Sequence, residues 1–114
     1  MTDNCLFCGI VAGDIPATIV AETERTVAFR DINPKAPVHV LVVPRVHQPD
    51  IASLAAAEPE ATAELLAQTR AVASLEGYDD YNVIFNTGAG AGQTVFHAHA
   101  HVLAGVDASK LFLA

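Results

Sequence analysis

Short apolar runs dominate the pattern, and only one stretch has a helical period. Segments 18–22 (TIVAE), 26–31 (TVAFRD) and 38–44 (VHVLVVP) are rich in β-branched residues and separated by turn formers, which predicts three successive antiparallel strands, the third the most buried. Between 58 and 77 the spacing changes. Ala61, Leu65, Val72 and Leu75 recur at roughly helical intervals, Pro59 suits a first turn, Glu58, Glu60 and Glu64 complement a positive N-terminal end, and Gly77 supplies a stop. A strand is expected over 81–86, a glycine loop over 87–92 and a last strand over 94–105. At the start, Asp3 and Asn4 are expected to cap a short helix ended by Gly13, with Leu6, Phe7, Ile10 and Val11 as its apolar face.

Composition narrows this picture. At 114 residues, with no repeat and no linker, residues 1–114 are expected to form a single domain. A net charge of -7 and only six Lys and Arg argue against a nucleic-acid groove or an anionic membrane surface. A small anionic ligand is still compatible, because backbone amides can bind it. The start lacks the basic region and apolar run of a signal peptide, and the uncharged stretch 81–106 carries Asn, Gln, His and Gly that do not suit a membrane helix. Cys5 and Cys8 are too close to staple the fold, which points to metal binding or a reducing compartment, with the cytoplasm as the expected location.

Candidate chemistry concentrates in HAHAH, residues 97–101. On a strand, His97, His99 and His101 share one face, about 7 Å apart in succession, and Ala98, Ala100 and Val102 share the other. Three imidazolium ions at that spacing repel one another, so at least one histidine is expected to stay neutral and nucleophilic near pH 7. The alanines are small, so whatever packs behind them must be bulkier. Cys5 and Cys8 form C-x-x-C, half of a tetrahedral zinc site; a redox pair or two buried thiols are the competing readings.

HAHAHVL resembles the His-φ-His-φ-His-φ-φ signature of the histidine-triad (HIT) superfamily. FRDINPKAPVHVLVVPRVH (29–47) and NTGAGAGQTVFHAHAHVLAG (86–105) are similar to its two main blocks, in the same order, most of all to the HINT branch of nucleoside phosphoramidate hydrolases. The resemblance implies an α+β fold: an antiparallel five-stranded meander with one long helix and a short N-terminal helix, paired as a homodimer. It implies cleavage of purine nucleoside phosphoramidates, of the adenosine 5′-monophosphoramidate type, to AMP through a nucleotidyl-histidine. His99 would be the nucleophile, His101 would hydrogen-bond the phosphate, His97 completes the triad, and His39 orients the site. Asp31 would hold the ribose, while Ile32, Phe7 and Leu6 pack on the base. Asn86, Gly92, Gln93 and Thr94 would line the phosphate and leaving-group side. Cys5, Cys8, His47 and His97 match the ligands of a structural zinc, and catalysis would need no cofactor. Alternatives are dinucleoside polyphosphate hydrolysis and a non-catalytic nucleotide-binding or scaffold module. The short tail after Gly105 lacks the tryptophan of many HINT proteins, which puts substrate breadth in doubt.

Overall fold

The computed structural model describes residues 4–107. Its centre is a five-stranded sheet of β1 (Ile19–Glu22), β2 (Thr26–Arg30), β3 (Val38–Pro44), β4 (Asn82–Ile84) and β5 (Ala100–Ala104). Every pairing is antiparallel and the spatial order is β1-β2-β3-β5-β4. The first three strands follow one another as expected. After the helices the chain enters at the far edge as β4, and β5 then fills the place beside β3.

β3 has neighbours on both sides and is buried along its whole length, which explains its unbroken apolar sequence. One face of the sheet carries Ala28, Val40, Val42, Ala100 and Val102 against Leu54 of α2 (Ile51–Ala57) and Leu65 and Val72 of α3 (Pro59–Leu75). The other carries Val27, Phe29, Leu41 and Val43 against Phe7 and Ile10 of α1 (Leu6–Ala12). Leu54 and Leu65 are fully buried beside Ala98 and Ala100, and supply the bulk that the small residues require.

Several elements depart from the pattern reading. The structure has a second helix, α2, whose N-terminus is capped by Asp50 accepting from Ser53 N–H at 2.8 Å. Its alanines run straight into those of α3, but Pro59 disfavours a helical residue before it, and Glu58 breaks out at φ -136°. α1 is capped by Cys5, whose sulfur accepts from Cys8 N–H, not by the Asp/Asn pair; Asp3 lies outside the described residues. Gly13 ends α1 at φ 83°, a left-handed turn that glycine takes without strain. Leu75, the last residue of α3, is exposed and does not join the apolar face. Glu64 does more than complement a helix end: it accepts from Thr23 Oγ1, Arg25 N–H and the Arg25 guanidinium, fastening α3 to the β1–β2 turn.

β4 spans three residues instead of 81–86, and β5 starts at Ala100 instead of residue 94. The register pairs Val42 with Ala100, so a longer ladder would set Ala98 opposite Pro44, which has no N–H to give. Ala98 N–H bonds Gln48 O instead, at 2.8 Å. The alternation nevertheless survives: Ala98 and Ala100 join the helix-side core, and the His97 and His99 rings meet Phe7 on the opposite side, both edge-on.

Candidate functional site

A cleft of about 380 Å³ opens between α1, the end of β2 and the segment leading into β5. Phe7 and Leu6 form one wall, Asp31 and Ile32 the rim after β2, and Thr94, His99 and His101 the polar side. Phe7 is buried and touches the His99 ring edge-on at 5.0 Å, whereas Ile32 stands 91% exposed at the mouth.

Hydrogen bonds to the backbone settle which nitrogen of each imidazole carries the proton, since a carbonyl only accepts and an amide only donates. His99 Nδ1–H donates to His97 O at 2.8 Å, which leaves the Nε2 lone pair of a neutral ring free on a residue that lines the cleft. Lys35 N–H donates to His39 Nδ1 at 3.0 Å, so His39 carries its proton on Nε2 and donates to His101 Nδ1 at 2.9 Å. His101 in turn keeps its proton on Nε2. Asp31 Oδ2 lies 3.4 Å from His39 Nε2, and Asp31 Oδ1 accepts from Asn33 N–H. The site thus pairs a ring with a free lone pair, His99, with a neighbouring ring that donates, His101; their centroids are 5.0 Å apart.

Burial keeps these rings neutral. It lowers His99 below the ordinary histidine value, against the hydrogen bond to His97 O and the Asp31 charge. His101 is pushed down to about 4 by burial, then by His99 and His39. His39 is lowered by burial too, with Asp31 opposing.

The first histidine of the comb faces elsewhere. His97 Nε2–H donates to Pro44 O at 2.8 Å, turning its Nδ1 lone pair toward Cys8 Sγ at 3.4 Å, Cys5 Sγ at 3.5 Å and His47 Nδ1 at 3.2 Å. Cys8 Sγ is 3.3 Å from His47 Nδ1, and the four ligand atoms all lie within 4.8 Å of one another. A tetrahedral zinc with bonds of about 2.0–2.3 Å has edges of about 3.3–3.8 Å, so two sulfurs and two nitrogens at these separations fit that ion. Antiparallel strands and two flanking imidazoles are not the thioredoxin-like βαβ setting of a redox C-x-x-C.

Other expected residues divide. Thr94 lines the cleft, but Asn86, Gly92 and Gln93 do not. Gln93 is buried, its Oε1 accepts from Gly88 N–H, and its Nε2 donates to Pro49 O and Val95 O, so in this structure it braces the glycine loop. Asn86 Nδ2 donates across the same loop to Ala91 O. The groups that the residue pattern did not reveal are backbone ones, Lys35 N–H and Pro44 O. Burial of the histidines beside them is their only trace.

A family model described as HIT domain matches residues 12–108. The purine nucleoside phosphoramidase of Escherichia coli K12 is 35% identical over 107 residues, 92% of this chain and 90% of that protein. The 14 kDa zinc-binding protein of Zea mays is 42% identical over 104 residues, 88% of this chain and 80% of that protein. A HIT family hydrolase from Clostridium thermocellum has the same fold, with a TM-score of 0.89 at 40% identity over 94% of this chain and 95% of its own. Sequence, fold and the run of alternating histidines agree, and the chain belongs to the HIT domain family.

Proposed function

We propose that the protein is a hydrolase of purine nucleoside phosphoramidates, of the adenosine 5′-monophosphoramidate type, working through a nucleotidyl-histidine on His99. The observation that carries this reading is the His99 tautomer: with Nδ1–H given to His97 O, the neutral Nε2 has its lone pair free on a residue of the cleft wall. The purine would lie among Phe7, Leu6 and Ile32, with Asp31 accepting from the ribose hydroxyls. Nε2 attacks the α-phosphorus, and the P–N bond breaks as the Nε2–P bond forms, the nitrogen leaving as the amine with a proton taken up from solvent. The positive charge that develops on His99 is stabilised by the His97 carbonyl at Nδ1–H, and the His101 Nε2–H donates to a phosphoryl oxygen. His39 is a positioning residue, holding His101 in its donating tautomer. Water then attacks phosphorus, releasing AMP and restoring neutral His99.

Cys5, Cys8, His47 and His97 would hold a structural zinc, which when bound ties α1 to the segment before β5. The similarity to a zinc-binding relative supports this assignment.

The test is AMP release from adenosine 5′-monophosphoramidate, with no added metal. His99→Ala is expected to lose about 10⁴-fold or more in kcat and to bind AMP within a few-fold of wild type. Comparable turnover by the variant would sink the covalent route, and no turnover by folded wild type would sink the substrate assignment.

A further inference from the structure

Cys5 is half-buried and lines an opening of its own. A second groove of about 330 Å³ runs along Asn4, Cys5, Leu6, Thr94, Val95 and Phe96, separate from the catalytic imidazoles but sharing Leu6, Thr94 and Val95 with the nucleotide cleft. Both cysteines are only half-buried. They stand at the cap and the third residue of α1, with Cys8 N–H donating to Cys5 Sγ at 3.3 Å. Residues three apart on a helical turn have Cα atoms about 5 Å apart, within the span of a disulfide. α1 also carries Leu6, Phe7 and Ile10 into the cleft. The seven residues of α1 together with their cap therefore bear half of the metal ligands and one wall of the binding site.

We propose that Cys5 and Cys8 form an oxidant-reactive modification site, at which a hydroperoxide closes the pair to a disulfide, expels the metal and loosens the nucleotide cleft. The inference rests on the zinc assignment above. The Cys5 thiolate attacks the outer peroxide oxygen; the O–O bond breaks, and the alkoxide or hydroxide leaves with a proton from solvent, giving the sulfenic acid. The Cys8 thiolate then attacks that sulfur, the S–O bond breaks and water departs after protonation. Two sulfurs are each oxidised by one electron and the peroxide is reduced by two. His47 and His97 alone hold the ion too weakly to keep it, and α1 loses its tether on the Phe7 side of His99.

The experiment begins with the zinc content of the purified protein, expected at one per chain. Hydrogen peroxide is then added with a chromogenic zinc indicator. Expected are release of that zinc, loss of two hydrogens from the peptide holding Cys5 and Cys8, and roughly tenfold weaker AMP binding, all reversed by a thiol reductant plus zinc. Cys5→His, which keeps four ligands and removes the pair, is expected to retain its zinc through the same treatment. A chain purified without zinc, and unable to take it up, overturns the zinc assignment and this inference together. Zinc that stays bound in peroxide, or leaves without a Cys5–Cys8 disulfide, overturns this inference and leaves the zinc assignment standing.

Discussion

The corner of Cys5, Cys8, His47 and His97 and the row of Asp31, His39 and His101 each bring three or more ligand atoms within 4.8 Å, yet their hydrogen bonding is opposite. At the corner, Pro44 O takes the outer proton of His97 and turns a lone pair inward, toward two sulfurs and another nitrogen. In the row, Lys35 N–H occupies Nδ1 of His39, so a proton, not a lone pair, lies between His39 and His101. The corner turns lone pairs inward, a geometry compatible with a cation, and the row turns a proton from His39 toward His101. Each cluster holds two histidines, and one backbone carbonyl and one backbone amide set which way their lone pairs face.

The harshest way to break the contrast is metal removal. Stripping zinc with a strong chelator is expected to lower the melting temperature by about 10 °C or more, with recovery on re-addition of one equivalent, read by thermal scanning. A stoichiometry of two per chain would show the row binding metal as well, and would end the distinction. Next in size is His39→Ala, expected to cut kcat by about 100-fold with little change in KM and no change in zinc content. His47→Ala should do the reverse, losing zinc first. If both variants lose zinc, the two clusters are one site.

Acidity gives a smaller and sharper test. His101 is held down to about 4 in the folded protein, against about 6.5 for an unperturbed histidine. As pH falls below 6.5 the unfolded chain takes up a proton that the fold refuses until near 4. The stability contributed by neutral His101 is therefore complete above pH 6.5 and is lost progressively down to pH 4. Urea midpoints at pH 7.5, 6 and 5 should fall in that order. Equal midpoints would mean that His101 takes up its proton alike in the folded and unfolded chains. The smallest change is expected for Asp31→Asn: KM up about tenfold, from the lost ribose acceptor, and the acid limb of kcat moved to lower pH, because the Asp31 charge raises His39, His99 and His101. An acid limb that stays where it is would mean that the Asp31 charge does not act on the imidazoles.

Much of this was legible in the residues. Alternation in HAHAH fixes the sidedness of the rings, and the β-branched runs fix β1 to β3, because a pleated strand sorts its side chains by parity whatever surrounds it. What escaped depends on partners distant in sequence. β5 ends early because Pro44, more than fifty residues upstream, has no amide for Ala98. Gln93 bonds Gly88, Pro49 and Val95, and of these Pro49 lies far from it in sequence. α2 hides in an alanine-rich tract whose only breaks are Asp50 and Pro59. The donors that set each tautomer are main-chain groups, present at nearly every position and therefore invisible as a pattern.

Ala98 and Ala100 sit between the imidazoles of the comb and the buried leucines of α2 and α3, with essentially no exposed surface. Their methyl groups set the spacing between helix layer and comb, so a larger side chain there could be housed only by pushing His97 and His99 forward, out of reach of Pro44 O and away from Phe7. Variation on the imidazole side of the molecule is thereby constrained from behind: the interior alanines limit how far His97 and His99 can project, though the alanines themselves do not line the cleft.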